Sequence, residues 1–233
     1  MIYVFIGLIV LFIILVIHSY LVIDISRYTI KDKRIDKNIK MLLLSDLHNR
    51  DIKNKLSKII SEEKPDMIIL SGDMINEFPG DQENFFKLIP VLEKYKTYYT
   101  FGNHEEACIK ELKNDYMNRL SKTKLVLLND DSVSLSKNIK LYGLDVDISF
   151  FEGLRKKKLD NKYIEKRLGK LDKDKYNIAI AHNPLMAYAY TKYGFDLVFS
   201  GHVHGGLVRL PFIGGILSPE YKLFPKYYEG INE

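Results

Sequence analysis

Five short apolar runs in this chain are each followed at once by residues able to hold a metal ion. Leu44 precedes Ser45-Asp46-Leu47-His48, Leu70 precedes Ser71-Gly72-Asp73, and Phe101 precedes Gly102-Asn103-His104-Glu105. Ala181 precedes His182-Asn183-Pro184, and Ser200 precedes Gly201-His202-Val203-His204. Imidazole, carboxylate and an amide carbonyl suit first-row divalent metals such as Mn, Fe, Zn, Ni or Co. Of the six histidines, five stand in these clusters and the sixth is His18. A lone histidine is usually structural, but five placed this way point to a site. In extended chain, residues i and i+2 face the same side. Asp46 with His48, and His202 with His204, are therefore expected to address one point each. Gly72, Gly102 and Gly201 each precede a ligand candidate, where the backbone must turn sharply or come close to a neighbour. Asp73 is a carboxylate that two metals could share.

The elements that must position these residues follow from periodicity. Strands are expected at residues 41–44, 67–70, 96–101, 125–128, 132–135, 139–144, 177–181, 197–200 and 208–210. Helical spacing is seen at 53–64, 84–93 (where Pro90 should kink or end it), 102–120 and 185–193, and the charged segment 155–173 reads as mostly helical. Pro211, Gly214, Gly215 and Pro219 mark loop structure. Apolar strands alternating with helices predict an α/β domain with a largely buried sheet. The hairpin-like strands of the middle suggest a mixed sheet or two sheets. Ligands in such folds gather at the carboxyl ends of the strands, where all five clusters lie.

The chain has 233 residues, 46% of them apolar, enough for one domain with a real core and a short appendage. Its net charge of +5 reads as an ordinary solvated surface rather than a nucleic-acid footprint. The single cysteine, Cys108, excludes a disulfide framework and a Cys-based zinc cluster, and reads as a small buried hydrophobe.

Residues 1–24 are read as a transmembrane anchor. Ile2 to Ile23 is apolar apart from His18-Ser19-Tyr20, and as a helix it would span about 33 Å against a hydrocarbon core of about 30 Å. No basic residue precedes the run and no small-residue cleavage site follows it, which argues against a signal peptide. Residues 25–39 form a polar, basic linker. Arg27, Lys31, Lys33, Arg34, Lys37 and Lys40 favour a cytoplasmic catalytic domain, and the same stretch could rest on anionic headgroups. His18 reads as an interfacial residue without function.

Taken together, Asp46-x-His48, Gly72-Asp73, Gly102-Asn103-His104-Glu105, His182 and Gly201-His202-x-His204 resemble the signature of calcineurin-like metallophosphoesterases, in order, over residues 40–233. The run from Gly201 through Leu210-Pro211-Phe212-Ile213-Gly214-Gly215 to Phe224-Pro225-Lys226-Tyr227 resembles the bacterial membrane-associated phosphodiesterase branch, whose members are similar to UDP-2,3-diacylglucosamine pyrophosphatases. The resemblance implies a four-layer α/β/β/α sandwich with mixed sheets. It implies two divalent ions, one on Asp46, His48, Asp73 and His204, the other on Asp73, Asn103, His182 and His202. His104 is implied as the acid or charge-stabilising residue beside the phosphate. Relatives in this branch continue with further strands after the Phe-Pro-Lys-Tyr segment, so an exposed sheet edge is expected.

The expected chemistry is hydrolysis of a phosphoester by a hydroxide held between two metals, with no covalent enzyme intermediate. A membrane-associated phosphodiesterase or pyrophosphatase, acting on a lipid- or nucleotide-linked substrate, is the leading expectation. The alternatives are a protein Ser/Thr phosphatase with the same metals, and a non-catalytic metal-binding membrane scaffold. A nuclease is disfavoured because no long basic–aromatic stripe is present. Arg155-Lys156-Lys157-Lys158 reads as a solvated basic segment, or else as an attractor of anionic substrate. Phe150 and Phe151, with Leu154, could line an acyl groove or pack in the core. The oligomeric state is not legible.

Overall fold

The computed structural model of the chain describes residues 2–78, 82–112, 115–151, 159–206, 208–210, 214–218 and 223–232. It separates into two compact units, Met1–Ile30 with Gly230–Glu233, and Lys31–Glu229. The first unit holds helix α1 (Ile2–Leu21), 20 residues without a charged side chain. Among the residues whose side chains are described, no helix is long and apolar enough to cross a membrane. That set leaves out about half of the α1 side chains, His18 included.

The second unit is built on two four-stranded sheets. In the first, β1 (Met41–Leu44), β2 (Met67–Ser71), β3 (Lys96–Thr100) and β4 (Val126–Leu127) run parallel in that order. In the second, β5 (Asp131–Ser134) is antiparallel to β6 (Ile139–Gly143), which continues in parallel to β7 (Tyr176–Ile180) and β8 (Leu197–Phe199). A separate hairpin pairs β9 (Val208–Leu210) with β10 (Gly214–Leu217). The glycine-rich 214–217 segment, expected as loop, is therefore a strand. It lacks the β-branched alternation that marks strands, and its partner β9 holds it in register instead.

Side-chain alternation explains the layering. Met67 and Ile69 of β2 and Tyr98 of β3 meet Ile139 and Leu141 of β6 and Tyr176, Ile178 and Ile180 of β7 in one buried cluster, so the sheets pack face to face. On the outer face of the second sheet, Tyr142, Ala179 and Ala181 pack against Ile164 of α6 (Asn161–Leu168) and Ala189 and Tyr190 of α7 (Ala187–Tyr193). On the outer face of the first, Phe85 of α3 (Glu83–Leu92) lies 5.7 Å from the Tyr99 ring of β3. Each fully buried Leu, Ile or Phe contributes about 1.5–3 kcal/mol. β1 is an edge strand in this arrangement, with Leu43 exposed.

Local signals explain the ends of elements. Helix α2 (Lys53–Glu63) stops where Lys64 turns left-handed, donates its N–H to the Ile60 carbonyl, and is followed by Pro65. Pro90 lies in the last turn of α3, which ends two residues later at Leu92. The helix expected through 102–120 is two helices, α4 (Asn103–Leu112) and α5 (Asp115–Leu120). Among the described residues of the charged 155–173 segment, 159–173, the helix is α6. Its Asp160 side chain caps the start by accepting from Tyr163 N, and Gly169 ends it with φ 69°. Residues 152–158, with Leu154 and the basic run Arg155 to Lys158, lie outside the described residues. The helix expected at 185–193 opens as a 3₁₀ turn, Pro184–Met186, before α7.

Arg34 fastens the start of the second unit. Its guanidinium reaches Asp32 at 2.8 Å and Asp196 at 2.7 Å and sits over the Tyr176 ring. Lys40 pairs with Glu63 at 2.8 Å.

Candidate metal centre

The carboxyl ends of β1, β2 and β3 and those of β7 and β8 lie along one edge of the two sheets. The first sheet supplies Asp46, His48, Asp73, Asn103 and His104; the second supplies His182, His202 and His204. Three groups of donors form there: Asp46 with His48 and His204; His48 with Asp73 and His104; and Asp73 with His182 and His202. Within each group the ligand atoms lie within 4.8 Å of one another. Asp73 belongs to two of the groups, and so does His48.

Asp46 and His48 do fall in one group, whereas His202 and His204 fall in different ones, and none of the four is extended chain. Asp46, His48, His202 and His204 have φ of 53°, 46°, 71° and 55°. This left-handed backbone is costly for residues with a Cβ and concentrates at functional sites. Hydrogen bonds between loops hold it: Asp46 N donates to Gly72 O at 3.1 Å and His48 N to Asp73 O at 3.0 Å. The periodicity argument assumed a strand, and these tight turns replace it.

Gly72 and Gly201 are among the glycines required by close approach. A Cβ on Gly72, where φ is 78°, would stand 2.6 Å from His182 Nδ1. A Cβ on Gly201 would fall 1.6 Å from Ser45 Oγ and 2.6 Å from Asp46 Oδ2.

The remaining hydrogen bonds orient the donors. Ser45 Oγ donates to Asp46 Oδ2 at 2.8 Å and His202 N to Asp46 Oδ1 at 2.8 Å. His182 Nδ1 lies 2.7 Å from the Ser71 carbonyl, which makes it the donor and turns Nε2 toward Asp73 Oδ2 at 2.9 Å. His48 Nε2 and His204 Nε2 are 3.2 Å apart, with their rings stacked. His104 sits edge-on to His48 at 4.6 Å between ring centroids, with Nε2 3.9 Å from Asp73 Oδ2. His104 N donates to Asp73 Oδ1 at 2.9 Å.

Charge follows geometry. Burial pushes the Asp73 carboxyl up, but His182 and His104 outweigh it and hold the group well below the usual carboxylate range. Burial opposes a proton on His182, yet the charge of Asp73 raises it to about 9. Burial lowers His48 and His204, leaving both imidazoles neutral and able to ligate.

The donors fit divalent metal. Asn103 Oδ1 is buried without a hydrogen-bond partner, and Asp73 Oδ2 and His182 Nε2 are buried facing each other at 2.9 Å. Buried polar atoms left in that state are costly unless something else satisfies them. The gathering of Asp73 with His182 and His202, and of Asp46 with the neutral imidazoles of His48 and His204, is what a cation needs.

The sequence profile of the calcineurin-like phosphoesterases matches residues 39–206. The chain belongs to this family. It is 30% identical to an uncharacterized metallophosphoesterase of Campylobacter jejuni, over 82% of this chain and 50% of that one. It is 28% identical to the metallophosphoesterase YkuE of Bacillus subtilis, over 85% of this chain and 71% of that one. It is 30% identical to the phosphodiesterase YaeI of Escherichia coli, over 83% of this chain and 70% of that one. The chain thus spans half the length of the Campylobacter relative.

Several residues of the phosphoesterase site carry no sequence signal of their own. Asn76 lies 3.2 Å from His48 Nδ1 through its Oδ1 and donates to the His48 carbonyl. Glu105, quoted above only as part of its cluster, is fully buried behind Asp73. The two neighbouring phenylalanines divide. Phe150 is a core residue against Tyr163. Phe151 stands 5.0 Å from the His202 ring and 6.0 Å from the His182 ring, walling that side of the site. Cys108 is buried, as expected.

Proposed function

We propose that this phosphoesterase is a phosphodiesterase or pyrophosphatase that uses two divalent ions and is tethered to a membrane by α1. The observation that carries the reading is Asp73, a buried carboxylate placed between two sets of donors. Asp46, His48 and His204 complete one set with Asp73, and Asn103, His182 and His202 complete the other. When bound, two ions such as Mn²⁺, Fe²⁺ or Zn²⁺ supply Lewis acidity and activate water near neutral pH.

The chain's own groups do the rest. Asp73, His48 and His204 fix the spacing of the donors. His104, a quarter exposed at the rim beside Asp73, faces the phosphate and gives a proton to the leaving oxygen or steadies its charge. Phe151 shields the His182 and His202 side from water. The diesterase reading is supported by likeness to a named phosphodiesterase. The tether is supported by the 20 uncharged residues of α1, about 30 Å as a helix. The basic residues after α1 favour a cytoplasmic catalytic unit and a lipid- or nucleotide-linked substrate at the membrane surface.

The deciding experiment is hydrolysis of bis(p-nitrophenyl) phosphate and p-nitrophenyl phosphate by the full chain in detergent, stripped of metal and resupplied with Mn²⁺. Metal-dependent turnover of the diester is expected. Turnover of the monoester alone would move the assignment to a phosphomonoesterase. Bound metal without turnover of either would favour the scaffold.

A further inference from the structure

Beneath the donors lies a polar relay that none of them needs as a ligand. Glu105 is fully buried and belongs to none of the three donor groups. Its Oε2 accepts from Asp73 N at 2.8 Å and Gly102 N at 2.8 Å. Its Oε1 accepts from Met74 N at 2.6 Å, Ile75 N at 3.3 Å and Tyr99 Oη at 2.7 Å. Tyr99 Oη lies 2.9 Å from Tyr116 Oη on α5. One carboxylate thus gathers the amides of the loop after β2 and of the loop after β3. The first carries Asp73; the second opens α4 at Asn103 and His104.

The β2 loop requires such a partner. Gly72 and Asp73 are both left-handed, with φ of 78° and 54°. The turn leaves three successive amides, those of Asp73, Met74 and Ile75, aimed at one place, and Glu105 takes all three. A shift of this loop moves the shared ligand itself. A glutamine offers an oxygen on one side and an amide on the other, so either orientation leaves two backbone N–H groups facing an N–H₂.

We propose that Glu105, braced by Tyr99 and Tyr116, is the positioning residue that sets Asp73 between the two metals. The proposal rests on the two-metal reading above. Groups behind metal ligands typically change metal affinity 10–100-fold when altered. Glu105→Gln is expected to weaken retention of the second Mn²⁺ at least about tenfold. Tyr99→Phe removes one hydroxyl from the relay without changing its shape, and is expected to weaken it about threefold, within the scatter of such contacts.

The test loads full-length wild type, Glu105→Gln and Tyr99→Phe with Mn²⁺ alone. It reads the metal-to-protein ratio across a titration and the electron paramagnetic resonance spectrum. Wild type should hold two ions with a spin-coupled signal, because Asp73 joins them. Glu105→Gln should retain about one ion at the same free Mn²⁺, with an uncoupled six-line signal. Tyr99→Phe should fall between. Wild-type retention and coupling in both variants, whatever their melting temperatures, would reduce the relay to a packing brace and overturn the proposal. If Glu105→Gln fails to fold, Tyr99→Phe carries the decision. A wild type that never binds a second ion counts against the two-metal reading instead.

Discussion

Asn76 and His48 grip each other at both ends: Oδ1 of the amide faces the imidazole Nδ1 at 3.2 Å, and Nδ2 donates to the His48 carbonyl at 3.3 Å. The amide end that donates fixes the other as acceptor, so Nδ1 of His48 carries the proton and Nε2 keeps its lone pair for a metal. Asn76→Ala removes both contacts. Its affinity for the ion held by His48 is expected to fall about tenfold, measured by calorimetric titration of metal into stripped protein. An unchanged isotherm would mean that packing alone holds the ring.

Asp73→Asn and His104→Ala separate the two kinds of residue at the site. The first removes the negative charge of the shared ligand and should lose both bound metal and turnover. The second leaves the seven proposed metal ligands in place and should keep metal while turnover falls about 10²–10⁴-fold. Metal analysis beside initial rates distinguishes them. Wild-type rates in both purified variants would sink the assignment of this edge as the active site.

The proton on His182 gives metal loading a pH dependence. Asp73 raises the imidazole to about 9, above the ordinary value of 6.5. An incoming ion has to displace that proton. Apparent affinity for the ion that His182 holds should therefore fall by about tenfold for each pH unit below 9, with one proton released as that ion binds. Titrations at pH 7 in buffers of different ionisation enthalpy would detect the release. A buffer-independent heat would contradict it.

Asp145 gives folding stability a second dependence, of the opposite origin. Burial pushes its carboxyl up to about 8, with the charges of Glu106 and Asp130 adding to the effect. The folded chain then keeps a proton that the unfolded chain gives up near 3.8. Between roughly pH 4 and pH 8 the folded state binds more protons, so this group costs stability as pH rises. Asp145→Asn should flatten the decline and raise stability at pH 8 by about 1–2 kcal/mol. Parallel melting curves across pH 5–9 for the variant and wild type would refute the account.

The candidate ligands were legible because each one follows an apolar strand within a few residues, and strand ends are local signals. Asp46, His48, Asp73, Asn103, His182, His202 and His204 all arrive at one edge for that reason. The backbone that delivers them was not legible. Left-handed Asp46 and His48 follow from bonds to the distant loop after β2, not from their neighbours in sequence. Asn76 and Glu105 stayed hidden for the same reason. Asn76 reaches back 28 residues to His48, and Glu105 reaches back 32 residues to Asp73. Gly214–Leu217 was read as loop because a glycine pair carries no strand signal without its partner Val208–Leu210 in view.

The site draws Asp46, Asp73 and Asn103 from one sheet and His182, His202 and His204 from the other, across the Ile69–Ile178 interior. Ions bound there would act as rivets through two plates. A chain whose sheets had formed but not docked could offer each ion only part of its donors. Filling the site therefore reports that the plates have closed, and the free energy of filling it adds to what keeps them closed, by an amount set by the free metal concentration.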